Sequence, residues 1–200
     1  MIALTENPKL KLPKIAWGIT GAGDKIAEIV ETMKDIKRQA DGIAEIDVYI
    51  SKAADTMLKF YRLEDEVKAN FARVMVEVNA NSPFLAAWLQ SSKYEFLLIA
   101  PCSSNTVAKI ANSISDTMLT NAALMGLKAF KEIYILPTDY REGVVYTKLP
   151  NGKDLKLRVR KEEADQVRRL EATDGMHTFE SPQKMREFLM EWLKTKKTEH

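Results

Sequence analysis

The sequence predicts an α/β protein built on a parallel sheet with helices on both faces. Three observations carry this. Short apolar runs of strand length alternate along the chain with stretches of helical periodicity. One of the runs, Phe96 to Ala100, is apolar at every position, as a strand buried on both faces requires. Several runs stop at clusters of Gly, Ser, Thr or Pro that lead into a helix.

Taken in order, Lys14 to Thr20 reads as the first strand, broken by Gly21-Ala22-Gly23. Ile26, Ile29, Val30 and Met33 then recur at i, i+3, i+4 and i+7, the pattern of an amphipathic helix. Ile46 to Ile50 is the second strand, ending at Ser51-Lys52-Ala53-Ala54 before another helical stretch. Val74 to Val78 alternates and reads as a third strand. Ser82-Pro83 predicts a helix start, Ser as cap and Pro at the first helical position, with the helix over Phe84 to Gln90. Phe96 to Ala100 stops at Pro101. Two helical segments separated near Asn112-Ser113 lead to Ile133 to Leu136, which ends at Pro137. Val144 to Leu149 and Leu155 to Arg160 flank an Asn151-Gly152 turn signal, so a β-hairpin is expected over about 143–160. Met185, Phe188, Leu189 and Trp192 predict a closing helix packed on the sheet.

Composition bounds the chemistry. Two hundred residues make one domain, 1–200, and a 46% hydrophobic share suffices for a core. Thirty Lys and Arg against 28 Asp and Glu leave a net +2, which gives no support for nucleic acid as a partner. One cysteine, Cys102, excludes a disulfide framework and any multi-cysteine metal or iron–sulfur site within the chain; with two histidines, His177 and His200, no metal site is expected. No apolar run reaches the roughly 20 residues needed to span a bilayer, and residues 1–13 lack a signal-peptide core, so no membrane partner and a cytoplasmic location are expected.

In an open parallel sheet, ligands lie beyond the carboxyl ends of the strands. Three such ends carry small hydroxyl, amide or glycine residues: Thr20 to Gly23, Ser51 to Ala54, and Pro101-Cys102-Ser103-Ser104-Asn105-Thr106. Each precedes a helix, whose free N–H groups and dipole favour an anion such as phosphate. Gly18, Gly21 and Gly23 match neither the dinucleotide fingerprint nor the Walker loop, and no serine-hydrolase elbow is present. Asp24 is out of keeping, because a carboxylate beside a phosphate loop repels the ligand unless it caps the helix or points away.

Ala100 to Ala111, with Ser115-Asp116 and Thr120-Asn121, resembles the signature of the homo-oligomeric flavin-containing cysteine decarboxylase superfamily, which also holds flavin prenyltransferases and phosphopantothenoylcysteine decarboxylases. Gly18 to Gly21 and Ile50 to Ala54 resemble that family's other two FMN loops. Val76 to Pro83 and Gly175 to Pro182 are similar to its archaeal branch, which includes dihydromethanopterin reductases.

The resemblance implies a three-layer, flavodoxin-like (Rossmann-like) FMN domain. It implies that Thr20, Gly21, Ala22, Gly23 and Ser51 hold the phosphate. Pro101, Ser103, Ser104, Asn105 and Thr106 would contact the ribityl chain and ring edge, and Asn79, Asn81 and Ser82 would border the flavin or pterin pocket. Asp116 either orients a ribityl hydroxyl or a neighbouring subunit, or caps a helix. It further implies a homotrimer-based assembly, extended in some relatives to a dodecamer or larger shell. The implied activity is FMN-dependent reduction of dihydromethanopterin with electrons from a ferredoxin-like donor. The alternatives are a ferredoxin-linked electron carrier or a decarboxylase or prenyltransferase of the same superfamily. With no histidine before His177 and no cysteine after Cys102, the decarboxylase acid/base and clamp residues are missing, and no catalytic side chain is assigned. Cys102 reads as a small buried residue rather than a redox thiol. Between 141 and 161, seven Lys and Arg against two acids make a basic hairpin suited to an acidic redox partner.

Overall fold

A computed structural model describes residues 12–198; the opening residues 1–11 and His200 lie outside the described residues. The elements run β1 (Lys14–Ile19), α1 (Ile26–Gln39), β2 (Glu45–Ile50), α2 (Lys52–Phe60), α3 (Glu64–Asn70), β3 (Val74–Val76), α4 (Leu85–Gln90), β4 (Phe96–Cys102), α5 (Ser104–Ala111), α6 (Met118–Lys128), β5 (Glu132–Pro137), β6 (Gly143–Lys148), β7 (Asp154–Val159), α7 (Lys161–Glu171), β8 (Met176–Thr178) and α8 (Pro182–Thr198). Six strands form one sheet in the order β3-β2-β1-β4-β5-β8, and every pair in it is parallel. The hairpin β6–β7 forms a separate antiparallel pair.

Both faces of the central strands are buried, which is why those strands read as apolar runs. Trp17, Ile19, Ile50 and Leu98 pack on one face with Ile29 and Met33 of α1, Leu58 of α2 and Leu189 of α8. Alternate residues, Ala16, Tyr49, Leu97 and Ile99, pack on the other with Leu89, Val107, Leu119 and Val167 from α4, α5, α6 and α7. The result is the three-layer α/β arrangement expected. Trp17 is fully buried and its indole N–H donates to the Ala100 carbonyl at 2.7 Å, tying β1 to β4. Trp88 and Trp192 are half-buried. On α8, Phe188 and Trp192 pack around Phe96, with ring centroids 5.9 and 5.3 Å away.

Several boundaries differ from the sequence expectation. The third strand is only Val74–Val76, because Glu77 turns inward to serve helix ends. Ser82 does not cap a helix. Its carbonyl accepts the N–H groups of Val78 and Asn79 in a tight turn, and the Ser82–Pro83 bond is cis, so α4 begins at Leu85. Pro101 does not stop β4, which continues to Cys102 with a shift of register against β5. The helical stretch after β2 is two helices, separated where Arg62 takes a left-handed conformation at φ 58°. Helix α7 and strand β8 were not anticipated. β8 is three residues long, and its signal is too short to stand out as periodicity. Among the described residues no helix is long and apolar enough to cross a membrane.

Beneath α4, the Tyr94 hydroxyl donates to the carboxylate of buried Asp47 at 2.7 Å and meets the Tyr49 hydroxyl at 2.5 Å. Burial raises both phenol pKa values, so these groups stay neutral hydrogen-bonding partners. Tyr94→Phe keeps the ring but leaves Asp47 without its hydroxyl donor. Urea unfolding is expected to show a loss of about 1–3 kcal/mol.

Candidate functional site: a cleft at the topological switch point

The chain leaves β1 toward β2 and leaves β4 toward β5, in opposite directions, so a crevice opens between their carboxyl ends. It is a cleft of about 600 Å³ lined by the ends of β1, β2, β3 and β4 and the starts of α2, α5 and α6. That volume is within the range of cofactor sites.

Thr20, Gly21, Ser51, Ser103, Ser104, Asn105, Thr106, Asn79 and Asp116 all line it. Thr20 has a different part from the phosphate donor implied for it. Its hydroxyl donates to the Pro101 carbonyl at 2.8 Å and accepts the Ser103 N–H at 2.8 Å, and its own N–H also goes to Pro101. With its one proton committed, Thr20 fastens the ends of β1 and β4 together. Pro101 lies buried behind the cleft as the acceptor of those bonds. Ala22 and Gly23 line a neighbouring hollow instead.

The helix starts supply the donors. Ser51 caps α2 by accepting the Ala54 N–H at 3.1 Å, which leaves its own proton to give. Ser103 caps α5 by accepting the Thr106 N–H. The first-turn N–H groups of Ala53, Ser104 and Asn105 have no acceptor among the described residues, and all three residues line the cleft. Gly21 makes the close approach of two loops workable. A Cβ there would stand 2.5 Å from the Ala53 Cβ and 3.1 Å from its carbonyl carbon.

Glu77 is the functional residue that sequence reasoning missed. It is 8% exposed, and each carboxylate oxygen accepts the first N–H of a different helix: Lys52 of α2 at 3.1 Å and Met118 of α6 at 2.9 Å. It appeared in the sequence only as the polar member of an alternating strand. Asn81 and Ser82 do not line the cleft. The Asn121 amide donates to Asn81 and to the Ala80 carbonyl, both at 3.0 Å, and pins this turn to α6. Asp116 pairs with Lys109 at 2.8 Å at the cleft, while Thr117 caps α6, so Asp116 is not a helix cap. Cys102 is fully buried, and burial raises its thiol pKa, which makes it an inert core residue. His177 is on edge strand β8, paired with Glu132 at 2.5 Å and outside the cleft lining. Among the described residues no cluster of His, Cys, Asp and Glu is arranged to hold a metal ion.

A family model described as Flavoprotein matches residues 3–187. The chain belongs to the Flavoprotein family. This flavoprotein is 41% identical over 184 residues to an uncharacterized protein of Methanocaldococcus jannaschii, covering 92% of this chain and 98% of that one. It is 35% identical over 150 residues to the dihydromethanopterin reductase (acceptor) of the same organism, covering 72% of this chain but only 60% of the reductase. Its fold matches Burkholderia xenovorans DmrB, solved in complex with FMN and described as a cubic protein cage for redox transfer. That match has a TM-score of 0.74 at 30% identity, over 92% of this chain and 96% of DmrB.

Gly21→Ala forces the two loops apart at the cleft. The purified variant is expected to fold yet to bind FMN at least about tenfold more weakly than the parent, measured by flavin fluorescence titration.

Proposed function

We propose that this flavoprotein binds FMN in the switch-point cleft and reduces dihydromethanopterin to its tetrahydro form with electrons from a ferredoxin-like donor. The observation that carries the cofactor assignment is the set of unpaired N–H groups on Ala53, Ser104 and Asn105, converging with Gly21 and the Ser51 hydroxyl. This set suits a phosphate, and the Lys52 side chain adds positive charge at the same cleft, where Lys109 is paired with Asp116. The 35% identity to a dihydromethanopterin reductase over 72% of the chain supports the pterin assignment.

Reduction of the dihydropterin C=N bond consumes two electrons and two protons. FMN, when bound, supplies the redox chemistry of converting single electrons into a pair. The protein's part is to seat the phosphate on backbone donors, to hold the ring at the mouth of the sheet, and to keep Glu77 locked against two helix ends. Among the described residues no histidine or cysteine lines the cleft, which supports a reading other than decarboxylation. The chain spans 60% of the reductase's length. The second reading is an FMN electron carrier without a substrate of its own.

A homotrimer-based assembly, in which a neighbouring copy covers the cleft rim, fits the exposed Val78 and Ile114. Val78 is next to the lining residues Glu77 and Asn79, and Ile114 lies between Lys109 and Asp116.

The hairpin gives the donor a landing place. Cross-strand pairing puts Val144 opposite Arg158 and Tyr146 opposite Lys156, so all four share one face. Val144 and Tyr146 are exposed. Of the seven cations near the hairpin, Arg141, Lys148, Arg160 and Lys161 have carboxylate partners, while Lys153, Lys156 and Arg158 have none among the described residues.

Anaerobic mixing of photoreduced protein with dihydromethanopterin tests the reading: the flavin band is expected to return in proportion to pterin added. A flavin that stays reduced leaves the carrier reading, and a protein that cannot be loaded with FMN removes both. The double variant Lys156→Glu, Arg158→Glu is expected to slow ferredoxin-driven reduction roughly tenfold at low ionic strength. The difference should fade at high salt, with flavin content unchanged.

A further inference from the structure

Asp24 is one residue past the phosphate loop, yet it does not line the cleft. It does not cap α1 either: the cap position is Lys25, left-handed at φ 54°, with no side-chain cap bond. The Asp24 carboxylate is half-buried and has no hydrogen-bond or ion-pair partner among the described residues. It borders a hollow of about 170 Å³ beneath the base of the hairpin, whose walls include Ile29, Leu136, Pro137, Val145 and Val159. It also borders a second hollow of about 220 Å³, which shares Thr138 and Val145 with the first and Ser103 and Ser104 with the FMN cleft. The two hollows adjoin the cleft through these shared walls, and Lys25 and Arg141 also line the first; Asp24 is the carboxylate there with no hydrogen-bond or ion-pair partner among the described residues. Of the other carboxylates bordering these hollows, Asp139 accepts from the Thr138 hydroxyl at 3.4 Å and Glu180 is held by Arg141 at 3.0 Å.

We propose that Asp24 anchors the pterin ring of the substrate, accepting the ring N–H and the adjacent amino N–H of its 2-amino-4-oxo-pyrimidine edge. This rests on the pterin reading above. A carboxylate matches two parallel N–H donors, while the apolar walls take the faces of a flat bicycle. The charge logic also removes the difficulty Asp24 posed in the sequence. A neutral dihydropterin is not repelled by the carboxylate, whereas a phosphate is, so the two ligands are sorted between hollow and cleft. Asp24 is a specificity-determining residue here and takes no part in electron transfer.

The test compares FMN-loaded parent and Asp24→Asn, which keeps the shape but replaces one acceptor oxygen with a donor. Pterin binding is followed by quenching of pterin fluorescence, using a dihydropterin and the corresponding 2,4-dioxo ring, which lacks the amino donor. The parent is expected to bind the dihydropterin at least tenfold more tightly than the dioxo ring. The variant should lose that preference, raise KM for the dihydropterin at least tenfold with little change in kcat, and retain its flavin. A variant that loads FMN and keeps the parent's pterin affinity and preference overturns the role of Asp24 and leaves the pterin reading standing. A parent that binds no pterin at all overturns both.

Discussion

The Thr20 hydroxyl sits where β1 and β4 part, and the ligand site is organised around it. These strands are neighbours in the sheet, but the chain leaves them in opposite directions, and their last paired residues are Gly18 and Ile99. Thr20 ties their ends together with three bonds, two to the Pro101 carbonyl and one from the Ser103 N–H. Ser103 is the cap of α5 and Gly21 is the next residue after Thr20, so one side chain sets the spacing of two of the three loops. The third is brought in by contact of Gly21 with Ala53, which leaves no space for a side chain.

Glu77 performs the complementary task on the far wall. Helices α2 and α6 both point their N-termini at the cleft, and two positive dipole ends close together repel each other. A single buried carboxylate bridging Lys52 and Met118 neutralises both and fixes their separation. First-turn N–H groups left without an acceptor among the described residues include those of Ala53 on α2 and of Ser104 and Asn105 on α5. The pattern of open donors thus follows from which N–H groups the protein has already satisfied.

The sheet and the three ligand loops were legible in the sequence because burial on both faces produces apolar runs, and because strand ends that approach a ligand need small residues. The hairpin was legible from Asn151-Gly152 and alternation. What escaped had physical reasons. The role of Glu77 depends on contacts 25 and 41 residues away, which local spacing does not encode. Ser82-Pro83 carries the residues of a helix start, but the turn that returns the Ser82 carbonyl to Val78 takes precedence. The three residues of β8 pair only with β5 and are too few to show a period. Thr20 reads as a ligand donor in the sequence and is a structural clasp in the fold, because its proton faces a backbone carbonyl.

The β6–β7 hairpin forms hydrogen-bonded ladders only with itself, and the six-stranded sheet is complete without it. Changes of length in such an appendage cost little, since loop-closure entropy grows only slowly with chain length. The hairpin is therefore a replaceable module. It can be exchanged or resized while the six-stranded sheet and the loops lining the cleft stay the same.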